Sequence, residues 1–434
     1  MGLRPGYKQT EVGVIPEEWE VKPLGDMFEF SGGVTASRDQ LSAEGYCYLH
    51  YGDIHKSEKT FIDVQAEFLD IPKLAVPLKQ ISPKFLVKDG DIVFVDASED
   101  DEGTSKHVVV INQADIPYIS GLHTIVAKSK DASLDNRYKQ FCFQTADIKR
   151  QFYFYAVGTK VSGISKTNIA KLILPLPRPA EQRAIAVVLG DVDELIGALT
   201  GLIAKNRDLK QAAMQRLLTS QIRLPGFSGE WEVMRLGNVF QFLNTANNPR
   251  SDLSDLGDVG YIHYGDIHTT ASAFLDCSET TLPLIAKSKV ANISFVQDGD
   301  LVMADASEDY AGIGKCVEVE NTRGRRIVAG LHTFLLRGDK NLIADGFKGY
   351  LQFIRSVRAA MVRLATGISV FGISKGNVRS IEVALPRVDE QKAIAEVLSD
   401  MDAEIEALGR RLAKTRALKQ GMMQELLTGR TRLI

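Results

Sequence analysis

The feature that most constrains this chain is a long-range repeat. Tyr48-Leu-His-Tyr-Gly-Asp-Ile-His55 returns as Tyr261-Ile-His-Tyr-Gly-Asp-Ile-His268. Asp89-Gly-Asp-Ile-Val-Phe-Val-Asp-Ala-Ser-Glu-Asp100 returns as Asp298-Gly-Asp-Leu-Val-Met-Ala-Asp-Ala-Ser-Glu-Asp309. Gly121-Leu-His-Thr124 and Gly163-Ile-Ser-Lys166 return as Gly330-Leu-His-Thr333 and Gly372-Ile-Ser-Lys375. The offset is 213 for the first pair (261 − 48) and 209 for the others (298 − 89, 330 − 121, 372 − 163). Solenoid units run roughly 20–50 residues, so this is a duplicated domain. Two copies of one surface suit a ligand that itself has two halves, of which duplex DNA is the commonest.

Each copy opens on a tryptophan segment, Trp19-Glu-Val-Lys-Pro-Leu-Gly25 or Trp231-Glu-Val-Met-Arg-Leu-Gly237. Short β-type runs such as Ile92–Val95, His107–Ile111 and Thr124–Ala127 follow, separated by Gly, Asp and Ser. Helical stretches are predicted near Arg137–Tyr155 and Gly346–Leu364. After a proline-rich exit the period changes to three- and four-residue steps. Ile185, Val188, Val192, Leu195, Leu199, Leu202, Leu209, Ala213 and Leu217 form one stripe; Ile394, Val397, Met401, Ile405, Leu408, Leu412, Leu418, Met422 and Leu426 form the other. Each reads as one long helix, the first weakened locally by Gly190, Gly197 and Gly201. Neither can bury its stripe alone, so the two are predicted to pair. The short link Leu218–Trp231 favours an antiparallel pair, with polar Asn206 and Thr415 at matching positions of the seam.

The predicted fold is therefore α+β: two duplicated α/β domains separated by two long antiparallel helices forming a coiled-coil spacer. The boundaries are 1–178, 179–220, 221–387 and 388–434. The net charge is −3, so nucleic-acid affinity must come from local patches or a basic partner. Such patches occur from Asp147 to Arg183 and again from Arg355 to Lys392. Cys47, Cys142, Cys277 and Cys316 do not align between the copies and form no CxxC pair, which argues against disulfides and cysteine–zinc sites. No apolar run is long enough to span a bilayer and no signal peptide is evident, so a cytoplasmic location without membrane contact is expected.

Six of the seven histidines pair across the repeat: His50/His263, His55/His268 and His123/His332. They read either as hydrogen-bonded residues at strand ends and loops or, with Asp53, as a metal site, although HExxH spacing is missing. The acidic run Asp96–Glu102 fails the calcium-loop pattern. Its carboxylates can accept from the cytosine amino group, or simply form a polar turn. The Gly-Ile-Ser-Lys loops lack P-loop spacing but offer backbone N–H groups and a lysine to a phosphate. No methyltransferase, glycine-rich cofactor, GxSxG or nuclease motif is present, which points to a binding or scaffolding subunit.

The exits Pro177-Arg-Pro-Ala-Glu-Gln-Arg-Ala-Ile-Ala-Val-Val-Leu189 and Pro386–Leu398 share a Pro…Glu-Gln…Ile-Ala…Leu pattern. With the helix ends Leu209-Lys-Gln…Leu-Leu-Thr219 and Leu418-Lys-Gln…Leu-Leu-Thr-Gly429 and the Trp-Glu-Val openings, the chain resembles the specificity subunit of Type I restriction-modification systems over essentially its whole length. The resemblance implies two target recognition domains, each reading one half of a split double-stranded DNA sequence, and helices that act as a ruler. It implies docking of two modification subunits that methylate adenine with S-adenosylmethionine, the chain itself binding no cofactor, holding no metal and doing no catalysis; restriction subunits can then join. The candidate DNA contacts are Tyr51, Asp53, His55, Lys56, Ser98, Glu99, Asp100, His123, Lys160, Ser165 and Lys166 in the first copy. In the second they are Tyr264, Asp266, His268, Ser307, Glu308, Asp309, His332, Ser374 and Lys375. The candidate spacer and modification-subunit contacts are Glu181, Gln182, Arg183, Asn206, Lys210, Gln211, Glu390, Gln391, Lys392, Thr415, Lys419 and Gln420.

Because the loops are nearly alike, the two half-sites are expected to be the same or closely related and inverted. Differences should trace to the segment between His55 and Leu86, 30 residues against 26 between His268 and Phe295, and to Arg323, Arg325 and Arg326. The alternatives are an independent two-domain sequence-specific DNA-binding regulator and a metal-dependent enzyme built on the paired His and Asp residues.

Overall fold

The computed structural model describes residues 5–57, 59–98, 103–158, 161–270 and 272–433, with Thr104 by its backbone alone. The chain divides into two compact units, 1–200 with 411–434, and 201–410. Each unit therefore takes half of each long helix.

In the first unit a five-stranded sheet runs in the order Phe28–Ser31, Thr124–Ser129, Ile92–Val95, His107–Ile111, Phe61–Asp63. All neighbours are antiparallel except the last pair, which is parallel. The central strand Ile92–Val95 is buried along its whole length. Successive side chains alternate between faces, so Ile92 and Phe94 join the core under the helices while Val93 and Val95 join the core on the other face. Burial on both faces is why this strand reads as an unbroken apolar run. The second unit repeats the order with Phe240–Leu243, Thr333–Gly338, Leu301–Ala304, Cys316–Glu320 and Phe274–Asp276, and Leu301 and Met303 again part from Val302 and Ala304.

A smaller sheet packs beside each large one. It has four strands in the first unit, Tyr118–Ser120, Tyr46–Leu49, Lys73–Leu74 and Leu41–Ser42, and three in the second, Leu284–Ile285, Val259–Ile262 and Ile327–Ala329. The extra strand falls before the histidine segment; the segment of unequal length that follows it supplies one strand to this sheet in each unit. The stretches read as continuous helix are interrupted: Ala146–Tyr155 and Arg355–Leu364 are ten-residue helices, preceded by the short turns Lys139–Cys142 and Lys348–Phe353.

The long helices run Pro179–Leu217 and Val388–Leu426, 39 residues each, or roughly 58 Å at 1.5 Å per residue. Within the first unit Asp193 pairs with Lys419 at 2.6 Å; within the second Lys210 pairs with Asp402. The early part of one helix thus lies beside the late part of the other, which is antiparallel packing. The two ion pairs are one pair written twice (193 + 209 = 402; 210 + 209 = 419). Residues beyond each helix repeat the exchange. Arg432 binds Glu181 and stands 5.9 Å from the Trp19 ring; Arg223 binds Glu390 and stands 5.9 Å from the Trp231 ring. Trp19 is fully buried because a hairpin particular to the first copy, Tyr7–Thr10 with Gly13–Pro16, brings Val12 and Ile15 against it. Trp231 has no such cover and is half-buried.

The seam is narrower than the sequence stripe. Ile185, Leu199, Leu217, Ile394 and Leu426 are buried, but Leu195, Leu202, Leu209, Val397 and Leu418 are exposed, Leu418 at 58%. An antiparallel pair covers one side of each rod, and these five side chains fall outside it. The polar seam positions do not bond across it. Thr415 is buried and donates to Arg411 O of its own helix at 2.8 Å; the Asn206 amide nitrogen is buried without a partner among the described residues.

Candidate nucleic-acid interface

In the first unit the strand Tyr46–Leu49 passes into the short helix Tyr51–Lys56. His50 caps that helix, its Nδ1 accepting from Gly52 N at 3.0 Å. Burial lowers the pKa of this imidazole, which keeps Nδ1 free to accept. The Tyr51 ring then meets His50 at 4.6 Å and stands edge-on to His55 at 5.9 Å and His123 at 5.4 Å. His123 Nδ1 lies 3.2 Å from Asp96 Oδ1, and Arg38 binds Asp53 at 2.7 Å. Tyr51, His55, Lys56, Ser98 and His123 line a cleft of about 450 Å³.

The second unit rebuilds the same cluster. Tyr264 lies 4.5 Å from His263, 5.9 Å from His268 and 5.5 Å from His332. His332 Nδ1 is 3.2 Å from Asp305 Oδ1, and Arg250 binds Asp266 at 3.1 Å. Burial raises the Asp305 carboxyl pKa, with His332 opposing it. His55 O and His268 O accept from Lys106 and Lys315.

Both His123 and His332 hold left-handed backbone, at φ 58 and φ 55. The chain crosses from the small sheet to the large one within Gly121-Leu-His-Thr124, so the turn has no spare residue. Thr124 and Thr333 close it by donating to Gly121 O and Gly330 O at 2.6 Å. A side chain on Gly121 would meet Leu49 O at 2.4 Å, and one on Gly330 the Tyr261 ring at 2.0 Å. A non-glycine residue in this conformation costs on the order of 1–3 kcal/mol, a cost carried at the same position in both units.

The structure gives several of the candidate residues packing roles within the chain. Ser98 and Ser307 are buried, each at 6% exposure, so the strand ends are packed rather than open. Asp309 is used by the loop, its Oδ1 accepting from Gly312 N at 2.6 Å, whereas Glu308 is exposed. Ser165 and Ser374 cap short helices, accepting from Asn168 N and Asn377 N at 3.1 Å; Lys166 is exposed, and Lys375 donates to Phe242 O at 3.3 Å. Glu99, Asp100 and Lys160 lie outside the described residues. On the helices Glu181, Gln182, Glu390 and Gln391 are buried within the chain rather than free for a partner. Gln182 donates to Ser133 O and Pro177 O at 2.9 Å and accepts from Asp135 N at 2.8 Å; Gln391 makes the matching bonds to Leu342 O, Pro386 O and Ala344 N. Lys210 and Lys419 serve the interhelix ion pairs, and Asn206 and Thr415 lie inside the seam. Of the twelve, Arg183, Gln211, Lys392 and Gln420 stay exposed, two pairs related by 209 (183 + 209 = 392; 211 + 209 = 420).

Sequence reasoning missed Arg38, Arg250, Asp96 and Asp305. The arginines recur at an offset of 212 (250 − 38) in dissimilar surroundings, Ser37-Arg-Asp-Gln-Leu41 against Pro249-Arg-Ser-Asp-Leu253. The aspartates were visible inside the acidic run. Among the described residues no group of three His, Cys, Asp or Glu side chains is placed to hold a metal ion, and the four cysteines are free and buried. No described helix is long and apolar enough to cross a membrane.

A cluster of imidazole, phenol and carboxylate groups is built twice on a duplicated sheet, which defines a protein with two like sites. The sequence profile of the Type I restriction modification DNA specificity domain matches residues 16–205 and again 228–414. The chain belongs to that family, the specificity subunits of Type I restriction-modification systems. Among its relatives is the putative type I restriction enzyme MjaX specificity subunit of Methanocaldococcus jannaschii, 25% identical over 98% of this chain and 97% of that one. The EcoKI specificity subunit of Escherichia coli is 22% identical over 96% of this chain and 89% of its own length. The fold is similar to the crystal structure of the S subunit from M. genitalium, with a TM-score of 0.56 and 14% identity over 98% of both chains.

Proposed function

We propose that each Tyr–His–Asp cleft reads one half of a bipartite duplex target. The observation that carries this reading is the left-handed histidine held against an aspartate in both units. The tight turn imposes this backbone, and a histidine rather than glycine is kept there at a cost in both units, which supports a functional role for the side chain. The imidazole and phenol groups can donate to or accept from base edges, while Lys56 on the first unit's cleft and exposed Lys166 can offer their charge to phosphates. Because the two clusters place the same side chains in like arrangement, the two half-sites are the same or closely related and inverted.

The chain supplies no chemistry of its own in this reading. Two modification subunits carrying S-adenosylmethionine methylate adenine, and restriction subunits join them. Arg183, Gln211, Lys392 and Gln420, with Leu195, Leu202, Leu209, Val397 and Leu418, form the docking surface on the helices. The duplicated pattern supports this, since each polar contact recurs once per helix, as two identical subunits require. Sequencing of methylated bases in cells carrying the chain tests the reading. Two related, inverted half-sites around a fixed gap are expected; unrelated halves would contradict it.

A further inference from the structure

Beside each cleft a small hairpin docks on the strand that ends in the buried serine. In the second unit Phe371–Gly372 pairs with Ala306–Ser307, and Thr366 bridges Gly372. The turn is tight. Gly367 has φ 140, and a side chain there would stand 2.0 Å from Val370 O. Yet this constrained tip is apolar: Ile368 is 96% exposed and Val370 57%. Tyr310, half exposed, stacks on Phe371 with ring centroids 3.9 Å apart. Arg358 donates to Tyr310 O and Ile313 O and fixes that loop. The result is a braced apolar prong.

The first unit keeps the frame and an apolar valine on it, Val161 at 51% exposure in the place of Val370, but changes the residues around it. Ser162–Gly163 pairs with Ala97–Ser98, Val157 bridges Gly163, and a side chain on Gly158 would stand 1.9 Å from Val161 O. At the positions of Tyr310, Ile368 and Phe371 its sequence has Asp101, Thr159 and Ser162 (310 − 209, 368 − 209, 371 − 209); Asp101 and Thr159 lie outside the described residues. Matching frame with unlike tips is the pattern of a specificity element on a shared scaffold.

The occupant follows from the neighbourhood. The prong pairs with Ala306–Ser307, and Ala306 O lies 2.9 Å from Nε2 of His268 in the cluster assigned above to duplex DNA; Thr366–Lys375 carries a lysine and no acid, which suits a polyanion. An exposed branched aliphatic side chain reads one base-edge feature, the thymine methyl group. We propose, resting on the DNA-reading assignment of the cleft, that Ile368 packs on a thymine methyl in the half-site of the second unit. The first unit has Thr159 at the matching position, with one methyl to offer in place of the larger Ile side chain, so the two related halves differ in thymine preference at that base pair.

The test uses the tagged full-length chain, purified from its native cells with its bound subunits. It is offered a random duplex pool, and each thymine of the enriched duplex is then replaced by deoxyuridine. One replacement in the second half should weaken wild-type binding about fourfold, the worth of one buried methyl group. Ile368→Thr, which trims the apolar tip to a single methyl, should reduce that sensitivity while melting as wild type does, since the side chain is exposed. Thr159→Ile should gain a thymine preference in the first half. Indifference of the wild type to every replacement, a second half without thymine, or full sensitivity in Ile368→Thr would overturn the contact. So would loss of bound subunits from Ile368→Thr with base preference unchanged, which would make the prong a protein-docking element. A pool that enriches no bipartite sequence would instead overturn the DNA-reading assignment itself.

Discussion

At the scale of single residues, His123 and His332 concentrate the argument. Glycine adopts left-handed backbone without penalty, so His123→Gly should leave stability within about 1 kcal/mol of wild type, strain relief offsetting the lost Asp96 contact. Loss of a base-edge contact costs about 1–3 kcal/mol, so binding to the first half-site should weaken roughly five- to hundredfold. Melting curves and a binding titration on one sample separate the two effects; a large stability loss with unchanged binding would make the turn purely structural. His107 gives a second prediction. It is buried in the first unit, which pushes its pKa down to about 4 from 6.5. Between those values the unfolded chain binds a proton that the folded chain does not. Stability is therefore fully present above pH 6.5 and falls as pH drops toward 4, by about 3 kcal/mol in all. The matching residue of the second unit is Cys316, so His107→Cys should flatten this part of the first unit's stability profile. An unchanged slope in denaturant titrations at pH 6.5 and 4.5 would contradict it.

At the scale of elements, the helix starts and helix interiors behave differently. Gln182 and Gln391 each tie a helix start to its domain through three hydrogen bonds within the chain. Removing a buried partner leaves polar groups unsatisfied at about 1–3 kcal/mol, so Gln391→Ala should lower the second unit's stability by that order, and Gln182→Ala the first's. Hydrogen exchange at Ala344 and Asp135 would report the local loosening, and unchanged protection would contradict the clamp. The helix glycines point the other way. A side chain added at Gly190, Gly197 or Gly201 meets nothing within 4 Å, so Gly197→Ala should stabilise by up to about 1 kcal/mol. Thermal melting checks the sign. The helices, their antiparallel pairing and most strands were legible in the sequence because periodicity survives without tertiary context. The width of the buried seam was not. A period of three and four marks a face but not how much of it a single partner helix covers, so Leu195, Leu202 and Leu209 read the same as buried Leu199. The Glu-Gln pairs were legible as a motif, but that they turn inward was not, because sequence gives no direction for a polar side chain at a helix start.

At the scale of the whole molecule, duplication accounts for most of what the chain is. The interhelix ion pairs, the glutamine clamps and the Tyr–His–Asp clusters each occur twice, and the family profile matches the chain twice as well. The repeat exposed Tyr51, His55 and His123 as candidates, and the structure brings them onto one cleft with Tyr264, His268 and His332 arranged alike in the other unit. Arg38 and Arg250 escaped notice because their sequence surroundings differ; only folding places them on Asp53 and Asp266. The second unit's hairpin tip escaped for another reason: only folding shows Ile368 exposed and Phe371 stacked on Tyr310. The central claim is that two matching clefts read two related halves of one DNA target. Its most direct measurement is the methylated sequence in cells expressing the wild-type chain, compared with His123→Gly and His332→Gly. A bipartite site with related inverted halves is expected, each variant relaxing one half and sparing the other. A continuous site, or variants that relax both halves equally, would contradict the account.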